Sequence, residues 1–180
     1  MDRVEVQGLD SYPGAPEVEE TGKTFEENAV LKAKIIAKYV KSWVLADDSG
    51  LEVDALGGAP GVYSARYAGA EATDEKNVHK LLKEMENLPS EKRTARFRAV
   101  IALATPCGDT LTFSGEAEGG IGIKPKGNKG FGYDPVFYPN GYDRTFAEME
   151  PSEKDSMSHR AQALKKLKEY LEKVSKGFLN

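Results

Sequence analysis

The sequence predicts an α/β fold, a mixed β-sheet covered by helices, and three observations carry that expectation. Segments of helical and strand periodicity interleave along the chain, a hairpin signal sits near the middle, and an amphipathic segment closes it. A bundle or a sandwich would show one period throughout.

Residues 3–9 alternate Val4 and Val6 with polar neighbours, which predicts a half-buried strand, and the run Tyr12-Pro13-Gly14-Ala15-Pro16 then breaks it into a loop. From Phe25 the apolar set Phe25, Ala29, Ala33, Ile36, Ala37 and Val40 keeps near-helical spacing. Thr24 can cap that helix, and Glu26 and Glu27 suit the positive end of its dipole. The apolar run Trp43-Val44-Leu45-Ala46 reads as a strand, Asp47-Asp48-Ser49-Gly50 as a polar turn, and Leu51, Val53 and Ala55 as a second strand. Gly57-Gly58-Ala59-Pro60-Gly61 continues neither, so a loop follows as far as Ala70. Thr73 and Asp74 open a helix carrying Val78, Leu81, Leu82 and Met85, which ends near residues 87–89.

Residues 95–104 and 110–117 flank the turn-rich Pro106-Cys107-Gly108-Asp109, a hairpin whose run Val100 to Ala104 is expected to be buried on both faces. Glycines 119, 120, 122, 127, 130 and 132 lie among Lys124, Lys126 and Lys129, a long cationic loop before a short strand at residues 136–138. From Ser156 onward Met157, Ala161, Leu164, Leu167, Leu171 and Val174 form one stripe, and Gly177 stops the helix.

The chain of 180 residues has the length of one domain, 1–180. Its net charge of -4 leaves no general basic field for a nucleic-acid backbone, and no nucleic-acid partner is expected. Cys107 stands alone, which excludes a disulfide framework or a multi-cysteine zinc site. With no apolar run of about 18 residues and no export signal, neither a membrane partner nor secretion is expected, and the expected address is cytoplasmic.

Three constellations could carry chemistry. Asp47 and Asp48 beside Ser49, with Glu17, Glu19 and Glu20 in the earlier loop, are oxygen donors of the kind magnesium takes together with substrate phosphates. Lys32, Lys154, His159 and Arg160 could clamp phosphate, lysine as a point charge and arginine as a planar fork. Gly130-Phe131-Gly132-Tyr133-Asp134-Pro135 offers an aromatic to stack on a nucleobase and a carboxylate to read its edge. Neither the spacing of a Walker A loop nor a Gly-x-Gly-x-x-Gly turn after a strand is present, and no Gly-x-Ser-x-Gly elbow supports a covalent mechanism.

Taken together, these blocks resemble the inosine triphosphate pyrophosphatase family. The likeness rests on Glu19-Glu20-Thr21-Gly22, Thr24-Phe25-x-Glu27-Asn28-Ala29-x-x-Lys32-Ala33, Leu45-Ala46-Asp47-Asp48-Ser49-Gly50-Leu51 and Leu56-Gly57-Gly58-Ala59-Pro60-Gly61-x-Tyr63-Ser64-Ala65-Arg66. It continues through Gly130-Phe131-Gly132-Tyr133-Asp134-Pro135 and Ser158-His159-Arg160. The resemblance implies a long curved mixed sheet with flanking helices, two lobes around a central cleft, and a homodimer. It implies magnesium-dependent hydrolysis of ITP, dITP and XTP to the monophosphate and pyrophosphate. By motif, Asp48 resembles the proton acceptor and a metal ligand, Glu20 a metal ligand, and Ser49 a substrate contact. Lys32 would meet the phosphates, while Phe131, Gly132, Tyr133, Asp134, Lys154, His159 and Arg160 would hold the nucleotide.

A donor pair at His159 and Arg160 would favour a 6-oxo purine over adenine, whose amino group would leave the donors unpaired. The family's opening strand and its Ser/Thr-x-Asn-x-x-Lys loop have no match here, so the domain is expected to be incomplete at its N-terminus by about twenty residues. The alternative expectation is a truncated, catalytically impaired nucleotide-binding or oligomerisation protein of the same fold.

Overall fold

The computed structural model describes residues 5–177. Its elements are α1 (Phe25–Val40), β1 (Val44–Val53), α2 (Asp74–Glu84), β2 (Thr94–Ala104), β3 (Thr110–Ile121), β4 (Phe137–Pro139), α3 (Pro151–Met157) and α4 (His159–Gly177), joined by loops and short 3₁₀ turns. The four strands form one sheet in the order β1-β2-β3-β4. Side-chain pairs show the direction: Arg98 meets Glu52 and Glu116, while Arg96 meets Asp54 and Glu118, so numbers rise on β2 as they fall on both neighbours. β3 and β4 are also antiparallel, with Gly119 opposite Pro139 and Ile121 opposite Phe137. The fold is α/β as expected, but the described strands pair antiparallel rather than in a mixed sheet.

The chain divides into two compact units. The first comprises Met1–Asp48, Val100–Phe113 and Leu164–Asn180, the second Ser49–Ala99 and Ser114–Ala163. In the first, Phe25, Ala29, Ala33, Ile36 and Ala37 bury one face of α1, and the run Val100 to Ala104 is buried on both strand faces, as its continuous apolar character predicts. Thr24 Oγ1 accepts from Glu27 N at 3.1 Å, the predicted cap, and Lys41 ends the helix with φ 53°. In the second, Leu51, Val53, Phe97, Leu81, Met85, Phe137, Phe146 and Met149 form the core. The alternation of β2 sends Ala95 and Phe97 inward and Arg96 and Arg98 outward to the carboxylates of the neighbouring strands.

Four expectations are corrected. Arg3 and Val4 of the predicted first strand lie outside the described residues. Residues 5–8 form no strand: Val6 is 78% exposed, and the chain turns on itself through Ser11 N to Gly8 O. One valine on a polar stretch buries too little to hold a register. The second correction concerns Asp47-Asp48-Ser49-Gly50, which continues β1 instead of turning. Pairing with β2 overrides the local turn preference, and Gly50 serves close packing, since a Cβ there would lie 2.3 Å from Ser64 Oγ and 2.7 Å from Gly61 O.

Third, β3 runs on to Ile121, taking Gly119 and Gly120 out of the expected loop. A Cβ on Gly119 would meet Tyr138 O at 2.2 Å, so this glycine admits β4. Fourth, the closing helix begins at His159, after a separate short helix. Ser158 is extended (φ -65°, ψ 154°) and its Oγ accepts from Ala161 N at 3.2 Å, which starts a new helix there. The buried stripe is rotated from the predicted one: His159, Ala163 and Leu167 are buried and Leu164 is 51% exposed.

Candidate functional site

The first unit gathers one cluster around Lys32. Successive turns of α1 place Asn28 and Lys32 on the same face, four residues apart. Lys32 Nζ donates to Glu20 Oε1 at 2.7 Å and to Asp48 Oδ1 at 3.1 Å, so carboxylates from a loop and from β1 converge on one ammonium. Asp48 Oδ2 accepts from Asn28 Nδ2 at 3.2 Å, and Asn28 Oδ1 accepts from Gly22 N at 2.7 Å. The loop bearing Glu20 is also fastened earlier, where Tyr39 Oη donates to Pro13 O at 2.9 Å.

Burial pushes the Asp48 carboxyl above its ordinary range, outweighing the opposing pull of the Lys32 charge and the hydrogen bonds from Lys32 and Asn28. For Lys32, burial works against the charge, but the hydrogen bond to Glu20 and the field of Asp48 prevail and its pKa is raised. The ammonium therefore stays protonated throughout the neutral range. Glu20 and Asp48 offer a hard cation two carboxylates, which suits magnesium completed by waters and phosphate oxygens. Among the described residues no group of three or more His, Cys, Asp or Glu side chains is arranged as a metal site.

The second unit gathers the residues of the Gly130-Phe131-Gly132-Tyr133-Asp134 loop with α3 and the start of α4. Asp134, 2% exposed, accepts from Phe131 N at 3.0 Å and from Lys154 Nζ through the same oxygen, Oδ2. Gly130 has φ 74°, and a Cβ on it would meet that oxygen at 2.0 Å, so the loop closes on its own carboxylate only with glycine there. Gly132 N donates to Asp74 Oδ2 at 2.6 Å, which ties the loop to the first turn of α2. These bonds leave the Phe131 ring 60% exposed, with Lys154 Nζ 4.7 Å and Arg160 Cζ 5.5 Å from its centroid.

The structure thus brings Phe131, Asp134, Lys154 and Arg160 together, while Lys32, expected to clamp phosphate with Lys154, His159 and Arg160, belongs to the cluster of the first unit. Tyr133 and His159 are in the core instead. The Tyr133 hydroxyl donates to Ser64 O at 2.9 Å and burial pushes its pKa up, while the His159 ring stacks on Phe97 at 5.0 Å. The expected donor pair is therefore divided, with Arg160 beside the exposed aromatic and His159 only 6% exposed. Ser49 lies half-buried on β1, next in sequence to Asp48.

Sequence reasoning quoted Asn28 in a motif block and read Asp74 as opening a helix, but gave neither a role at a site. For Asn28 a signal existed: a short polar side chain interrupting the apolar stripe of a helix, a position that normally disfavours asparagine.

The chain is similar to known proteins over most of its length. The Ham1 family model matches residues 1–170. A dITP/XTP pyrophosphatase of Halalkalibacterium halodurans is 52% identical over 167 residues, covering 93% of this chain and 86% of the relative. One from Bacillus subtilis is 51% identical over 168 residues, with 93% and 85% covered. The solved structure of the Staphylococcus aureus Ham1 protein superposes with a TM-score of 0.88 at 45% identity, covering 93% of this chain and 86% of that one.

Proposed function

Because the chain belongs to the Ham1 family, we propose that it hydrolyses deaminated purine nucleoside triphosphates, dITP, ITP and XTP, to the monophosphate and pyrophosphate. The observation that carries the chemistry is the meeting of Glu20 and Asp48 on Lys32 Nζ.

Asp48 orients the attacking water and takes its proton as the water oxygen bonds to the α-phosphorus. The bridging oxygen then leaves with pyrophosphate. Lys32 sets a fixed positive charge against the negative charge that builds on the phosphate oxygens, and Glu20 keeps that ammonium in place. Glu20 and Asp48 would hold magnesium, which supplies further positive charge to the triphosphate when bound. Taken by itself, the second unit offers the exposed Phe131 ring and the Arg160 guanidinium plane, groups of the kind that stack on a purine, and guanidinium donors suit a 6-oxo acceptor. Asp134 keeps the Phe131 loop and Lys154 in register.

The other reading, a catalytically impaired nucleotide-binding or oligomerisation protein, is not favoured. The relatives bearing the enzyme name match over most of both chains, and the cluster of Lys32 with two carboxylates is intact. A homodimer and a cytoplasmic address belong to the proposal as well. No helix among the described residues is long and apolar enough to cross a membrane.

A substrate panel tests the proposal: pyrophosphate release from dITP, XTP, dATP and dGTP, with magnesium and with chelator. The expected outcome is turnover of dITP and XTP at kcat/KM at least about 10²-fold above dATP, and none with chelator. Equal turnover of dATP would refute the base assignment.

A further inference from the structure

We propose that Asn28 is a positioning residue for the reaction, clamping Asp48 and the Glu20 loop through the two ends of one side-chain amide. The proposal rests on the reading of Asp48 as the group that takes the proton from water.

Asn28 is 0% exposed and sits in the first turns of α1, between the apolar residues Phe25 and Ala29. A buried primary amide in a helix is costly unless both of its ends are used. Here each end meets a group of opposite character. Oδ1 takes the N–H of Gly22 at 2.7 Å, and Nδ2 gives to Asp48 Oδ2 at 3.2 Å. Turning the amide over would set NH₂ against N–H and carbonyl against carboxylate, so its orientation is fixed by two repulsions as well as two bonds.

Two further features tie this contact to the carboxylates. Gly22 lies two residues after Glu20, and its lack of a side chain is required, because a Cβ would approach Asn28 Oδ1 to 2.6 Å and Glu27 Cβ to 2.7 Å. The loop is thus pressed onto α1 at the one point where Asn28 can hold it. On the other side, Asp48 receives Asn28 on Oδ2 and Lys32 on Oδ1, so successive turns of one helix address its two oxygens. With Oδ2 held, the carboxylate cannot rotate about its terminal bond, and Oδ1 remains aimed at the place where Lys32 and Glu20 meet. Rigid helix backbone does the aiming, which favours a defined geometry over a loop-borne one.

The test compares wild type, Asn28→Asp and Asn28→Ala. Asn28→Asp keeps an acceptor for Gly22 N–H but replaces the donor to Asp48; Asn28→Ala removes both arms without adding charge. The readouts are kcat and KM for dITP, and exchange of the Gly22 amide proton without magnesium. We expect kcat to fall about 10- to 100-fold in both variants with KM changed less than about threefold. The Gly22 amide should stay protected in Asn28→Asp and lose protection in Asn28→Ala.

A residue that only fastens the loop would spare Asn28→Asp, so wild-type kcat in that variant with Gly22 still protected overturns the proposal. Should a variant not fold, the wild type carries the test: the side-chain amide protons of Asn28 should exchange at least about tenfold more slowly than those of exposed Asn140, and equal rates overturn the clamp. A wild type inactive on dITP overturns the underlying reading, whereas an active wild type with unimpaired variants overturns this proposal alone.

Discussion

Replacing Asp48 by Asn is expected to lower kcat for dITP by about 10²- to 10⁴-fold, the usual contribution of a positioned general base. The substitution preserves shape, and its new side-chain carbonyl can still accept from Asn28 Nδ2. Lys32 also keeps its shorter bond, to Glu20 at 2.7 Å. The fold and the phosphate-facing charge should therefore survive while the proton acceptor is lost. Binding of dITP, followed by calorimetry in magnesium, should change less than about tenfold, because the loss falls on the transition state rather than on the ground state. A variant that keeps kcat within a small factor of wild type would remove Asp48 from its role.

The second large effect is on stability, and it reaches the second cluster. Gly115 on β3 is buried, and a Cβ there would lie 2.1 Å from His159 O and 2.7 Å from Ala163 N. Both neighbours are backbone atoms of the first turns of α4, so nothing flexible can step aside. Gly115→Ala should cost about 3 kcal/mol through overpacking. For a chain of this size that lowers Tm by about 10 °C. Because Arg160 follows His159 in the displaced turn, KM for dITP should rise as well. An unchanged Tm in differential scanning calorimetry would show that α4 does not pack on β3 as described.

These two residues mark what was legible in the sequence and what was not. The α1 stripe from Phe25 to Ala37, the Thr24 cap and the buried run at the end of β2 were readable because periodicity and capping act within a few residues of themselves. The motif blocks pointed to Glu20, Lys32 and Asp48, and they do meet. What escaped depends on partners distant in sequence. Asp47-Asp48-Ser49-Gly50 has turn chemistry but lies in a strand, since β2 pairs with it from some fifty residues away.

Glycines 50, 115 and 119 look like loop or strand-weakening residues, yet each admits a backbone or side-chain group that a methyl would exclude. His159 reads as a polar site residue, and its ring lies on Phe97. Ser158 breaks a helical stripe that hydrophobicity alone would carry through. In every case the local signal was genuine but ambiguous, and packing between separate segments decided it.

The most direct test of the central claim is the fate of the attacking oxygen. Hydrolysis of dITP by the wild-type protein in ¹⁸O-labelled water with magnesium, resolved by mass spectrometry, should give dIMP carrying one ¹⁸O and unlabelled pyrophosphate. Release of orthophosphate and dIDP, or label in the pyrophosphate, would contradict attack at the α-phosphorus.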